Sequence, residues 1–155
     1  MRIFSGLVLG AAALAAAVAA GWAFWPSTPG GRADADDARQ VGLGKVVYQE
    51  NCVSCHGANL EGQPDWRTRK PDGRLPAPPH DETGHTWHHP DQQLFRITKL
   101  GVKPPLAPEG YQSDMPAFGG VLSDDEIWAV LAFIKSRWPS EVLARQPSPD
   151  KGVNR

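Results

Sequence analysis

The chain has 155 residues, enough for one ordinary domain with accessories. Sixteen Lys and Arg against 17 Asp and Glu leave a formal charge of -1, which excludes the strongly basic balance of a nucleic-acid-binding protein. Sixteen Gly and 15 Pro predict generous loops, and two Cys are too few for a disulfide framework.

From Ile3 to Trp25 no residue is charged. That stretch matches a bilayer core of about 30 Å at about 1.5 Å per residue. Trp22, Phe24 and Trp25 sit where aromatic rings favour the membrane boundary, and Pro26 ends a helix. Residues 1–25 therefore read as an N-terminal hydrophobic helix, either a transmembrane anchor or a removed signal peptide; the Ala-rich "AVAA" suits the latter. Both readings carry the rest of the chain across the cytoplasmic membrane. The expectation is a single-pass membrane protein with its domain in the periplasm, or a soluble periplasmic protein after cleavage. Residues 26–38, with "STPGGRADADD", predict a flexible linker.

A domain is expected over 39–139. Val41, Lys45, Tyr48 and Cys52 recur at helical spacing, predicting a helix that runs into the cysteine pair. From Gly57 to His89, prolines at 64, 71, 76, 78 and 79 exclude regular helix. A loop that long in a small domain is functional or wrapped around something. Arg67, Arg69, Lys70 and Arg74 make it locally basic. Leu94, Ile97 and Leu100 restore helical spacing, with Pro90 at the start and Gly101 as a C-terminal cap. Val102 to Gly120 is loop again. Ser123 and Glu126 form a capping box before "EIWAVLAFIKSRW", which Pro139 stops. Residues 140–155 read as a frayed polar tail. The fold class is all-α, about three short helices with long loops and no strand. Three short helices enclose a poor core, so such a domain needs a staple, and a large flat cofactor would serve.

Cys52, Cys55 and His56 form Cys-x-x-Cys-His, the attachment signature of c-type haem. Two thiols a helical turn apart reach two vinyl groups on one porphyrin edge, and the next residue brings an imidazole under the iron. Zinc is a rival, because His85 and His89 have the right mutual spacing, yet they lie much further from the cysteines than the about 12–15 residues of a usual finger. A thioredoxin-like pair lacks its βαβ context, and a disulfide leaves His56 without a role. Met115, the one methionine besides the initiator, sits in a Pro- and Gly-rich loop away from any periodic apolar face. It is the candidate second axial ligand, because electron-carrying haems commonly take His and Met. His80, His85, His88 and His89 have three readings: structural partners of Trp87 and the next helix, a replacement distal ligand, or a copper or zinc site.

"CVSCH", then Met115 in "MPAF", then a capped helix ending "AVLAFIKS" resembles a class I cytochrome c. Gly44, Tyr48 and Cys52 at four-residue intervals are similar to the series that precedes the haem motif there, with Phe133 as the matching aromatic of the last helix. The resemblance covers about Arg39 to Trp138. It implies a class I cytochrome c-like fold around one covalently bound haem c. Cys52 and Cys55 would be thioether anchors, and His56 and Met115 the proximal and distal iron ligands. Tyr48, Trp87 and Phe118 would touch the cofactor. A carbonyl of Pro78 or Pro79 would receive the proximal imidazole proton. The implied role is one-electron transfer without catalysis. The implied partners are redox proteins such as a quinol–cytochrome c reductase, a dehydrogenase or a terminal oxidase. A haem-bearing subunit of a larger complex is the alternative, as is a cytochrome with an added copper-binding histidine cluster. The N-terminal helix would supply membrane contact, and nucleic acid would have no part.

Overall fold

The structure, a computed structural model, describes residues 31–147. The predicted anchor or signal at 1–25 lies outside them. Five α-helices follow in chain order: α1 (Ala38–Asn51), α2 (Val53–His56), α3 (Asp91–Leu100), α4 (Asp124–Lys135) and α5 (Ser140–Arg145). A single 3₁₀ turn, Thr86–His88, interrupts the long middle loop. Among the described residues there is no strand, and no helix is long and apolar enough to cross a membrane.

Each helix start has a chemical cause. Asp37 opens α1 by accepting from the amides of Arg39 and Gln40, at 2.9 and 3.2 Å. Ser123 and Glu126 exchange side-chain and backbone bonds at the start of α4, the reciprocal capping box expected from the sequence. Pro90 stands just before α3 rather than inside it, and Gly101 ends it at a φ of 80°.

The core is the crossing of α1 and α4. Gly44 allows it: a methyl group there would overlap the carbonyl oxygen of Ala129 and stand 2.9 Å from Phe133 Cβ. One turn on, Tyr48 packs its ring on Phe133 with centroids 5.3 Å apart. Against the other side of α4, α3 lays Phe95 flat on Trp128, centroids 4.3 Å apart and planes 17° from parallel. Ile127, Val130, Leu131 and Ile134 fill the space between with almost no surface left to solvent.

Both ends of the domain differ from expectation. Within the described part of the predicted linker Ala33 is buried, 1% exposed, while Arg32 and Asp34 beside it stay exposed. Gln40 ties it down, donating to the Arg32 carbonyl at 3.0 Å and accepting from the Asp34 amide at 2.7 Å. Lys135, at the end of α4, donates to the Ala33 carbonyl at 3.0 Å and to both oxygens of Asp91 at 2.9 and 2.7 Å. At the other end, residues 140–145 form α5 instead of a frayed tail. Pro139 ends one helix and starts the next, Val142 is buried, and Gln146 donates to Asp91 at 2.7 Å and to the His89 carbonyl at 3.1 Å. The Lys135–Asp91 ion pair thus gathers α3, α4, the entry segment and the exit segment.

Candidate functional site

The Cys-x-x-Cys-His turn is rigidly supported. The Cys52 amide donates back to the Tyr48 carbonyl of α1 at 2.9 Å, and the amides of Cys55 and His56 both donate to the Cys52 carbonyl, at 3.1 and 2.9 Å. Beneath it, the Tyr48 hydroxyl donates to the Gly57 carbonyl at 2.9 Å. Burial, then the charges of Cys52, Glu61 and Asp81, push the Tyr48 pKa well above its usual value, so it stays a neutral donor. Both thiols are free. Burial, then neighbouring Cys55, pushes the Cys52 thiol up to about 11, the opposite of the depressed value a disulfide-exchange pair requires.

His56 is buried and its ring is oriented. Its Nδ1 lies 2.9 Å from the Pro78 carbonyl oxygen. A carbonyl only accepts, so Nδ1 carries the proton and Nε2 keeps the lone pair that a metal takes. Burial pushes the His56 pKa below the usual 6.5, partly offset by the Pro78 bond, so the neutral ligating form prevails at neutral pH. Of the two prolines the sequence left open, Pro78 is the one used. The approach requires Gly62, which lies against Pro78 so closely that a Cβ would stand 2.6 Å from the Pro78 carbonyl carbon. The Gly62 amide also donates to the His56 carbonyl at 2.8 Å.

The long loop after the cysteines folds back on itself. Gln63 and Ala77 pair at its base, at 2.9 and 3.0 Å. Its basic turn reaches the Met115 loop. Lys70 Nζ meets Asp114 at 2.6 Å, and Arg74 Nε stands 3.3 Å from the same carboxylate without hydrogen-bond alignment. Beyond Met115, the Phe118 and Gly119 amides donate to the carbonyls of Thr98 and Lys99 at 3.0 and 2.9 Å. The half-buried Met115 is therefore held by ion pairs on one side and by the end of α3 on the other.

The structure places the remaining expected residues as follows. Tyr48 is 1% exposed, enclosed by α4 and bonded to Gly57. Trp87 and Phe118 are half-buried against the core, and Trp87 turns a face to His88 at 3.8 Å. The copper or zinc reading of the histidine cluster fails on geometry. His85 stacks on Trp66, His88 stacks on Trp87, and His89 meets His85 edge-on at 5.6 Å. Among the described residues no group of three or more His, Cys, Asp or Glu is arranged to hold a metal ion. The fourth member, His80, lies on His56 itself, with centroids 3.9 Å apart and planes 23° from parallel. Burial, then the neighbouring His56 and His85, lower its pKa well below 6.5. The sequence singled out the cluster but gave no sign of this contact.

Comparison with known proteins agrees with the site. The Cytochrome c family profile matches residues 41–138. Over 33 residues the chain is 52% identical to "Cytochrome bc1 complex cytochrome c subunit" of Mycobacterium leprae (strain TN), covering 21% of this chain and 11% of the relative. Over 96 residues it is 25% identical to "Cbb3-type cytochrome c oxidase subunit FixP" of Sinorhizobium medicae (strain WSM419), covering 62% of this chain and 29% of the relative. The chain thus spans less than a third of the length of either curated relative. No solved structure matches it. Two free thiols and an imidazole with its outer nitrogen committed to a carbonyl form the donor set that a thioether-linked haem uses, so the residues present fit that group. The chain belongs to the cytochrome c family, whose domain carries covalently bound haem c and whose attachment motif Cys52, Cys55 and His56 fit.

Proposed function

We propose that this protein is a one-electron carrier, with haem iron held between His56 Nε2 and the Met115 thioether sulfur. The Pro78–His56 bond is the observation that carries the reading, because it presents a neutral imidazole with its free nitrogen beside the attachment thiols. When bound, the haem iron supplies the one-electron couple. The chain supplies the rest. Cys52 and Cys55 anchor the macrocycle edge, and the Pro78 carbonyl raises the basicity of His56. Met115, a soft thioether, favours the lower charge state and so a higher potential. The half-buried Trp87 and Phe118 limit water near the site. With His56 and Met115 both holding the iron, no position would be left for a substrate, and the protein would be a carrier and not an enzyme.

The two relatives support a place beside respiratory complexes. One is named as a subunit of a bc1 complex, the other as a subunit of a cbb3-type oxidase. The second reading follows from the same names: the domain works as a fixed haem-bearing subunit of such an assembly. Residues 1–25 would anchor it, with the domain in the periplasm. Spectroelectrochemistry of the full chain, matured with a haem-attachment system, tests the function. The expected result is a reversible one-electron couple and no rapid carbon monoxide binding after reduction. Rapid carbon monoxide binding would contradict the closed-site carrier. Detergent extraction that retains an oxidase or reductase in stoichiometric amount would favour the fixed subunit.

A further inference from the structure

We propose that His80 is a positioning residue for the proximal ligand, its ring lying flat on His56 and fixing the rotation of that imidazole about the line through Nε2. The inference rests on His56 being the iron ligand. The Pro78 bond holds one edge of the His56 ring, but hydrogen bonds to carbonyl oxygens accept a broad range of directions. A parallel ring with its centroid 3.9 Å away limits tilt of the whole plane.

A clamp works only if it is itself held, and His80 is fixed at three points. Its amide donates to the Leu60 carbonyl at 2.7 Å, its carbonyl accepts from Trp138 Nε1 at 2.6 Å, and its Nδ1 lies 2.7 Å from Thr86 Oγ1. All three partners are buried, at 2, 5 and 5% exposed for Leu60, Trp138 and Thr86. Leu60 adopts the left-handed conformation, at a φ of 71°, unusual for a residue with a branched side chain. It does so with its carbonyl aimed at His80, and strain of this kind persists where the surroundings over-determine it, commonly at functional sites. The Thr86 bond has a further effect. It sets the rotation of the His80 ring about its own Cβ–Cγ bond, which aliphatic packing alone would not do. The clamp also joins the end of α4, through Trp138, to the proximal ligand.

The orientation of the proximal ring plane decides which iron d orbitals it overlaps, so it is read by electron paramagnetic resonance of the ferric low-spin state and by the spread of haem-methyl proton shifts. Full-length protein matured with haem is compared with H80F, H80Q and T86V. H80F keeps a flat face but loses the Thr86 bond, and its resonance positions and methyl-shift pattern are expected to move no further than those of T86V. H80Q keeps a polar group for Thr86 but has no ring face; its largest g value is expected to move and broaden, with the methyl shifts redistributed. T86V frees the His80 ring and is expected to change the same signals in the same direction by less, so it carries the test if H80Q does not accumulate. Signals unchanged in both H80Q and T86V would overturn the clamp, as would H80F and H80Q shifting equally. A wild-type protein with no low-spin ferric haem signal would instead defeat the ligation reading itself.

Discussion

Replacing Lys135 by methionine tests how the domain is closed. The ammonium makes three bonds, to the Ala33 carbonyl and to both oxygens of Asp91. The side chains are only 11 and 16% exposed. Breaking a fully buried pair costs about 3–5 kcal/mol, because the surviving charge stays desolvated. The residual exposure and the position of Asp91 at the start of α3, where the helix dipole favours an anion by about 0.3–1 kcal/mol, reduce this. The Gln146 amide also remains on the carboxylate. The expected loss is about 2–4 kcal/mol. With a guanidinium m-value on the order of 2–6 kcal/mol/M, the midpoint should fall by roughly 0.3–2 M. Helical circular dichroism of the haem-loaded protein follows it. Adding Asp91→Asn should recover part of the loss, since it removes the stranded charge. The exposed Lys70–Asp114 pair, at 39 and 49% exposure, should contribute little in the same assay. A Lys135→Met loss below about 1 kcal/mol would refute the argument that burial, and not contact distance, separates the two pairs.

Three further outcomes follow from the packing. Gly44→Ala should cost about 1–3 kcal/mol or more, because the added methyl meets backbone at Ala129 that cannot move without α4; a denaturation midpoint equal to wild type would contradict the close crossing. Tyr48→Phe should lower stability by about 1–3 kcal/mol, the cost of leaving the Gly57 carbonyl unpaired, with little change in the visible spectrum, because the ring stays and only its hydroxyl bond to Gly57 is lost. Asp114→Asn concerns the Met115 loop: the Lys70 hydrogen bond, then the nearby charges of Lys70 and Arg74, hold the Asp114 carboxyl below its ordinary 3.8. Its contribution is therefore present above that value and lost as pH falls through it. The variant should lose the methionine–iron absorption at a higher pH than wild type, and high salt should narrow the difference.

The chemistry of the site was more legible in the sequence than its setting. Cys52, Cys55 and His56 are adjacent, so local spacing alone specified their joint role. Gly44, Tyr48 and Phe133 were readable through the family resemblance, which implies a small residue and an aromatic of the first helix set against an aromatic of the last. The choice between Pro78 and Pro79 was not, since it depends on how a proline-rich loop without periodicity folds back over Gly62. The contact of His80 with His56 joins residues far apart in sequence, and local pattern carries no trace of it. For Tyr48 the family resemblance implies contact with the cofactor; its spacing alone does not show the cover that α4 gives the ring. Lys135 stands at the end of an apolar helix, where a cation is ordinary, and nothing local marks its burial. The entry and exit segments read as loose because their polar residues gave no sign of the Lys135–Asp91 pair that gathers them.

The central claim is axial ligation by His56 and Met115, and the near-infrared spectrum of the ferric, haem-loaded protein tests it most directly. The account predicts a methionine–iron charge-transfer band in the wild type that is absent in Met115→Ala, with haem still covalently attached in both. A coloured wild-type protein without that band, or a band that survives in Met115→Ala, would contradict it.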